Sequence, residues 1–279
     1  MRALVHPYPS GLPSPGDAAE LSDDELVAFY APPVDGPDGT GGPAGRPWVR
    51  FNFVSSADGA ATLDGLSGGL GTAADRRLFS LLRRPADVLL IGAGTVRAEG
   101  YSGELVTAED RAWRETRGLP GHPVIAVVSG SLDLDPEGEF LRTAPVRPLV
   151  FTTAGADSGR RRALEEVADV VDCGREQAEP ARIRAELAAR GHRLVHSEGG
   201  PTLFGSFAAA GEADELCLSL SPLAAGPSAR RIMGGPGLPE ATTLHLVGLL
   251  EESGALFLRY RFPRHQHGAI PDEGGVPSP

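Results

Sequence analysis

Between residues 48 and 262 short apolar runs alternate with stretches of helical periodicity, and that alternation restricts the chain to an α/β architecture. Residues 48–54 (WVRFNFV) read as a strand, residues 73–84 as a helix with Leu78, Leu81 and Leu82 on one face, and residues 87–91 (DVLLI) as a short, almost wholly apolar strand. Further strands are expected at 123–128, 148–152 and 193–196, with helices around 110–117, 158–167 and 181–190 between them. Strands joined through helices pair in parallel, because each crossover lies over a sheet face. The last part differs. Residues 215–221, 244–250 and 256–262 follow one another without a strong helix, and Glu251-Glu252-Ser253-Gly254 reads as a hairpin loop. The expected fold is a mostly parallel central sheet with helices on both faces and a C-terminal antiparallel hairpin.

The flanks have another character. Residues 1–17 are rich in Pro and Gly and read as loosely held, and residues 31–47, again rich in both, cannot be helix or central strand. Between them a short helix begins at Ser22, with Glu25 placed to complete a capping box. The chain thus divides into a loosely ordered N-terminal segment with one short helix (1–47), a principal domain (48–263) and a disordered tail (264–279).

A net charge of −11 argues against nucleic acid and anionic membranes as partners. No stretch approaches the roughly 18 apolar residues that cross a bilayer, and the first residues carry no apolar run like that of a signal peptide. The expectation is a cytoplasmic protein. Its two cysteines, Cys173 and Cys217, suit buried small hydrophobes better than a disulfide or a metal site, and no metal is expected.

Three segments carry chemistry. Ile91-Gly92-Ala93-Gly94-Thr95 follows an apolar strand; glycines at such a turn let a phosphate approach backbone N–H groups at a helix start, although a plain tight turn has the same sequence. Ser197-Glu198-Gly199-Gly200-Pro201-Thr202-Leu203 follows a second strand, with Gly200 at the cap and Pro201 at the first helical position. Two glycine turns at strand C-terminal ends point to a nucleotide, since open α/β sheets bind ligands at that edge. Ser55-Ser56-Ala57-Asp58-Gly59 ends the first strand; Asp58 is either a turn residue or a carboxylate facing the same cleft, able to orient a substrate or assist proton transfer. His196, inside a strand, reads as a satisfied structural histidine.

Taken in order, these segments resemble the signatures of the riboflavin-biosynthesis pyrimidine reductases, the reductase half of a bifunctional deaminase-reductase. The stretches 53–59, 86–99 and 197–203, the last followed by Asp214-Glu215-Leu216 and Ser221-Pro222, carry the resemblance, which covers residues 48–262 and is nearest a stand-alone actinobacterial branch. It implies a dihydrofolate-reductase-like sheet, NADPH as hydride donor, a small-molecule substrate and a homodimer. Beside the turn residues Gly92, Gly94 and Gly199, the resemblance, carried over by position, assigns Thr95, Glu99, Ser129 and the stretch from Gly200 through Pro201, Thr202 and Leu203 to Ser206 to the cofactor, with Thr152 and Thr153 as weaker candidates. It assigns Ser56, Asp58, Arg83 and Glu198 to the substrate, with Asp58 as the catalytic group, and implies a cis Gly199–Gly200 peptide.

Two departures bear on the substrate. The zinc deaminase motif is absent from this sequence, so the implied step is the reduction alone. Where the family has Asp-Pro and then a Leu and an Arg that hold the substrate's phosphate, this chain has Gly100-Tyr101-Ser102-Gly103-Glu104-Leu105-Val106. A carboxylate in place of a bidentate cation disfavours phosphate, unless another arginine such as Arg83 takes over. The principal reading is therefore reduction of the ribosylamino group of a 5-amino-6-ribosylaminouracil 5′-phosphate type precursor. A dihydrofolate or pterin reductase and a non-catalytic NADPH-binding protein stand as alternatives.

Overall fold

The structure, a computed structural model, describes residues 1–5, 20–33, 45–226, 230–238 and 240–263. The tail expected at 264–279 and residues 6–17 of the N-terminal segment lie outside the described residues.

Among the described residues ten strands make one sheet and eight helices accompany it. The strands are β1 (Arg2–Val5), β2 (Trp48–Ser56), β3 (Val88–Gly92), β4 (Val124–Val128), β5 (Leu149–Thr152), β6 (Asp169–Asp172), β7 (Leu194–Ser197), β8 (Glu215–Ser221), β9 (His245–Glu252) and β10 (Ala255–Arg261). The helices are α1 (Asp23–Phe29), α2 (Ala73–Arg83), α3 (Ala93–Glu99), α4 (Ala108–Glu115), α5 (Glu139–Arg142), α6 (Ser158–Glu165), α7 (Pro180–Ala189) and α8 (Pro201–Ala209). The sheet order is β1-β9-β10-β8-β2-β7-β3-β4-β5-β6, parallel from β8 through β6 and antiparallel across β1, β9 and β10. This is the expected α/β fold with its terminal hairpin. β2, β7 and β3 lie side by side at its centre and bring all three chemistry-bearing segments to one edge.

Both faces are covered. Ile183 and Leu187 of α7 and Leu203, Phe204 and Phe207 of α8 pack on Val49, Phe51, Val88, Leu90 and Val195. On the other face α1 and α2 meet Leu250 and Phe257, while α5 and α6 cover Leu89, Ile91, Ile125 and Val127. The capping box at Ser22 forms with both arms, Glu25 accepting from the Ser22 amide at 2.8 Å.

The structure differs from the sequence reading at both sheet edges. Residues 2–5, read as loosely held, form edge strand β1 against β9, with the Met1 amine 2.7 Å from Glu252. β6 (DVVD) was not expected: its four residues are too short to show a period, and pairing with β5 supplies what the sequence pattern lacks.

A charged knot closes the antiparallel end. Glu215 of β8 accepts from Arg50 of β2 at 2.9 Å, from Trp48 at 2.7 Å and from Arg259 of β10, and all three charged side chains are fully buried. The two guanidiniums also donate to the carbonyls of Phe29, Tyr30 and Ala31, so they cap the C-terminal end of α1 from outside the helix. Burial would raise the Glu215 carboxyl, but Arg259 and Arg50 beside it hold it below the usual range.

Candidate active site

A cavity of 430 Å³ opens at the C-terminal ends of β2, β3 and β7, walled on one side by α2. Its floor is backbone. Gly92 caps α3 and its amide donates to the Gly199 carbonyl at 2.8 Å, which joins the two glycine turns. A Cβ on Gly92 would sit 3.2 Å from the Gly200 nitrogen, and one on Gly200 would sit 2.7 Å from the Thr95 hydroxyl. Gly199 has φ +98°, a region that favours glycine, and the Gly199–Gly200 peptide is cis. Gly200 then caps α8 with Pro201 in its first turn, and both residues line the cavity. By contrast, a Cβ on Gly94 would meet nothing within 4 Å.

The wall is made of side chains. Arg83, near the end of α2, grips Glu198 with two hydrogen bonds of 2.5 and 2.8 Å and donates to the Leu105 carbonyl at 2.9 Å. The Glu198 side chain is completely buried. The Arg83 guanidinium lies over the Phe79 ring at 4.5 Å, and the Tyr101 hydroxyl, pushed up by burial and by Glu198, completes the group. Glu99 accepts from the Ser67 amide and hydroxyl at 3.0 and 2.9 Å.

The structure brings Arg83, Thr95, Glu99, Glu198, Gly200 and Pro201 to one cavity, backed by Gly92 and Gly199. Ser129 and Thr152 stand at the ends of the neighbouring strands β4 and β5, outside the lining; both hydroxyls are buried and have no hydrogen-bond partner among the described residues. Thr153 is buried beside them. Thr202 packs near Gly235, and the Ser206 hydroxyl donates to the Thr202 carbonyl within α8. Leu203 turns into the core beneath the sheet.

Asp58 and Ser56 are not in the cavity lining. The Asp58 carboxylate accepts from the Ser56 hydroxyl, from the Ala225 amide at 3.1 Å and from the Gly226 amide at 2.8 Å. Ser56 in turn accepts from the Ala60 amide at 2.9 Å. The pair stitches the loop after β2 to the loop after β8. These donors, the Ser56 hydroxyl foremost, hold the Asp58 carboxyl down at about 2, too acidic to take up a proton near neutrality. His196 is buried with neither ring nitrogen hydrogen-bonded among the described residues, where a satisfied histidine was expected; burial pushes it well down and keeps it neutral.

The sequence reading missed Asn52, Asp75, Arg76, Phe79 and Tyr101, all of which line the cavity. A signal existed for some. Asn52 interrupts an apolar strand, and Asp75, Phe79 and Arg83 recur every four residues along one stripe of α2. The missing phosphate arginine also has a physical answer. Arg83 is spent on Glu198 and Leu105, and Glu104 is ion-paired to Arg111. Arg76 is exposed at the cavity wall and donates only to the Gly71 carbonyl, at 2.7 Å, among the described residues.

Known proteins share the sequence pattern and the fold. The family model of the RibD C-terminal domain matches residues 47–255. A 2,5-diamino-6-ribosylamino-4(3H)-pyrimidinone 5′-phosphate reductase from Archaeoglobus fulgidus is 28% identical over 182 residues, covering 65% of this chain and 83% of that protein. Riboflavin biosynthesis protein RibD of Bacillus amyloliquefaciens is 28% identical over 196 residues, 69% of this chain but 50% of that longer protein. Among solved structures, a pyrimidine reductase-like protein from Corynebacterium diphtheriae superposes with a TM-score of 0.76 at 26% identity, over 88% of this chain and 100% of that one.

Proposed function

The chain belongs to the family of RibD C-terminal domains, and from that premise we propose that it is an NADPH-dependent reductase of a ribosylaminopyrimidine phosphate in riboflavin biosynthesis. The product would be the corresponding ribitylamino compound. The observation that carries the reading is the cavity itself, with a glycine floor facing a side-chain wall built on α2.

The floor fits a dinucleotide. Gly92 and Gly200 let the two turns pack too closely for a Cβ, which keeps backbone at the strand ends, and the hydroxyls of Ser129 and Thr152, unpartnered among the described residues, suit the adenosine end along the same sheet edge. NADPH supplies the hydride when bound. The protein's part is placement. The Arg83–Glu198–Tyr101 group fixes the wall against which the pyrimidine ring would lie, and Arg76 is the cation left to meet a phosphate. The test follows NADPH oxidation with 5-amino-6-ribosylaminouracil 5′-phosphate and with its 2,5-diaminopyrimidinone counterpart. Turnover of either supports the reading; NADPH binding without turnover of either sinks it.

Asp58 has no part in this scheme. Asp58→Asn should leave kcat within about threefold, as surface substitutions remote from a site do. Because its folded pKa is depressed, the stability that the Asp58 clasp contributes is complete above about pH 4 and is lost as the pH falls through about 2. A collapse of kcat with unchanged Tm would return Asp58 to the chemistry.

A homodimer belongs to the same proposal. Leu218, Leu220, Leu249, Leu256 and Leu258 lie on one face of β8, β10 and β9 and are only half-buried, while Cys217, Leu250 and Phe257 on the opposite face are covered by α1 and α2. An antiparallel face that meets water normally alternates to polar residues, so this one fits a second copy. Light scattering should give twice the chain mass, and Leu258→Arg should halve it; a monomeric parent protein would refute the assembly.

A further inference from the structure

The cavity wall holds two polar groups that neither the cofactor floor nor the Arg83–Glu198 pair uses. Asn52 of β2 is 8% exposed, lines the cavity and makes no side-chain hydrogen bond among the described residues. Its amide is not sealed in the core but opens to the cavity, where a ligand can hydrogen-bond to it. Asp75, in the first turn of α2, lines the same cavity. In the parallel pairing of β2 with β8, Asn52 stands opposite Cys217 and Val54 opposite Ser219, and the Ser219 hydroxyl is Asp75's hydrogen-bond partner. Asn52, Ser219 and Asp75 therefore meet beneath α2. Burial raises the Asp75 carboxyl against the opposing effects of Ser219 and the adjacent Arg76, and a carboxylate has more acceptor positions than the one hydroxyl of Ser219 fills.

The pyrimidines that such a reductase handles differ at one ring edge. A 2-amino-4(3H)-pyrimidinone presents two donors side by side, N3–H and the 2-amino group. The corresponding uracil presents a donor and an acceptor, N3–H and O2. A carboxylate offers two acceptors and matches the first edge, whereas against the second one of its oxygens faces the O2 lone pairs. An amide matches the second edge.

Resting on the pyrimidine-reductase reading above, we propose that Asp75 and Asn52 form the ring-edge subsite, Asp75 accepting from N3–H and the 2-amino group and Asn52 donating to the 4-oxo group. The subsite selects a ring that still carries its 2-amino group. Hydrolytic removal of that amine must then act on this protein's product rather than supply its substrate.

The experiment measures binding and turnover on the full chain saturated with NADPH. Titrated with 2-amino-4(3H)-pyrimidinone and with uracil as ring probes, the parent protein should prefer the first by about 30-fold, the worth of one charge-assisted hydrogen bond exchanged for a repulsion. Asp75→Asn should reverse the preference, with Tm and NADPH affinity unchanged, because its amide complements the uracil edge. The 2,5-diamino and the uracil ribosylaminopyrimidine phosphates should show the same inversion in kcat/KM. Dihydrofolate as a third substrate separates a monocyclic ring from the same edge fused in a pterin. Equal or better binding of uracil by the parent protein overturns the proposal, whatever the variant does. So does an Asp75→Asn protein that loses affinity for both rings alike. If the ring preference and its reversal appear while neither phosphate is reduced, the subsite stands and the riboflavin reading falls.

Discussion

Glu215→Gln is expected to destabilise the protein by about 3–5 kcal/mol, the usual result of removing one partner from a buried ionic group. A domain of this kind has roughly 5–15 kcal/mol in total, so the variant should unfold at far lower denaturant concentration or fail to accumulate. The cause is specific. Arg50 and Arg259 would remain fully buried, with only carbonyls of the α1 end and one neutral amide to meet two positive charges. Denaturant unfolding measures the effect, and a loss under about 1 kcal/mol would show that water reaches the knot. The triple change Arg50→Met, Glu215→Leu, Arg259→Met should recover much of the loss, but not all, because the carbonyls of Phe29, Tyr30 and Ala31 would lose their donors. The pH dependence has a definite sign. The folded-state carboxyl is held below the ordinary value, so its contribution is complete above that value and is lost as the solution is acidified.

The second large effect is on turnover. Glu198→Gln should lower kcat by at least about 100-fold, because the group it breaks fixes the wall on which the substrate must be aligned. Arg83 would keep one acceptor at most on that side chain, and its guanidinium could turn toward the cavity. NADPH affinity should change only a few-fold, since the glycine floor is backbone and Gly92 and Gly199 bond to each other rather than to Glu198. Arg83→Lys should behave similarly, as an ammonium cannot span both carboxylate oxygens and the Leu105 carbonyl. Unchanged kcat in Glu198→Gln, with normal folding, would remove this pair from the mechanism.

The parallel half of the sheet was legible because its strands are buried on both faces and so read as nearly continuous apolar runs, Val88 to Ile91 most plainly. The glycine turns were legible because few other sequences end a strand and start a helix that way. Asp58 was not. An Asp-Gly after a strand says that a turn occurs there and nothing about its direction; the loop that claims the carboxylate lies at Ala225 and Gly226, on the far side of the next strand. Asp75 was hidden by its helix-capping position, which the Thr72 hydroxyl explains without any ligand. The knot at Glu215 was hidden differently: its charged residues come from three strands, and each of those strands looks ordinary until the sheet order places them together.

The division between a backbone floor and a side-chain wall has an evolutionary consequence. The groups that would cradle the dinucleotide are amides and missing Cβ atoms, so most substitutions leave them intact and only a change at a glycine removes them. The wall proposed above for the substrate is Asp75, Arg76, Phe79 and Arg83 on one helix, with Asn52 and Glu198 lining the same cavity. Single replacements along α2 can therefore exchange one substrate for another while the redox partner stays the same. A lineage could explore new rings one helix turn at a time without passing through a form that has lost its electron source.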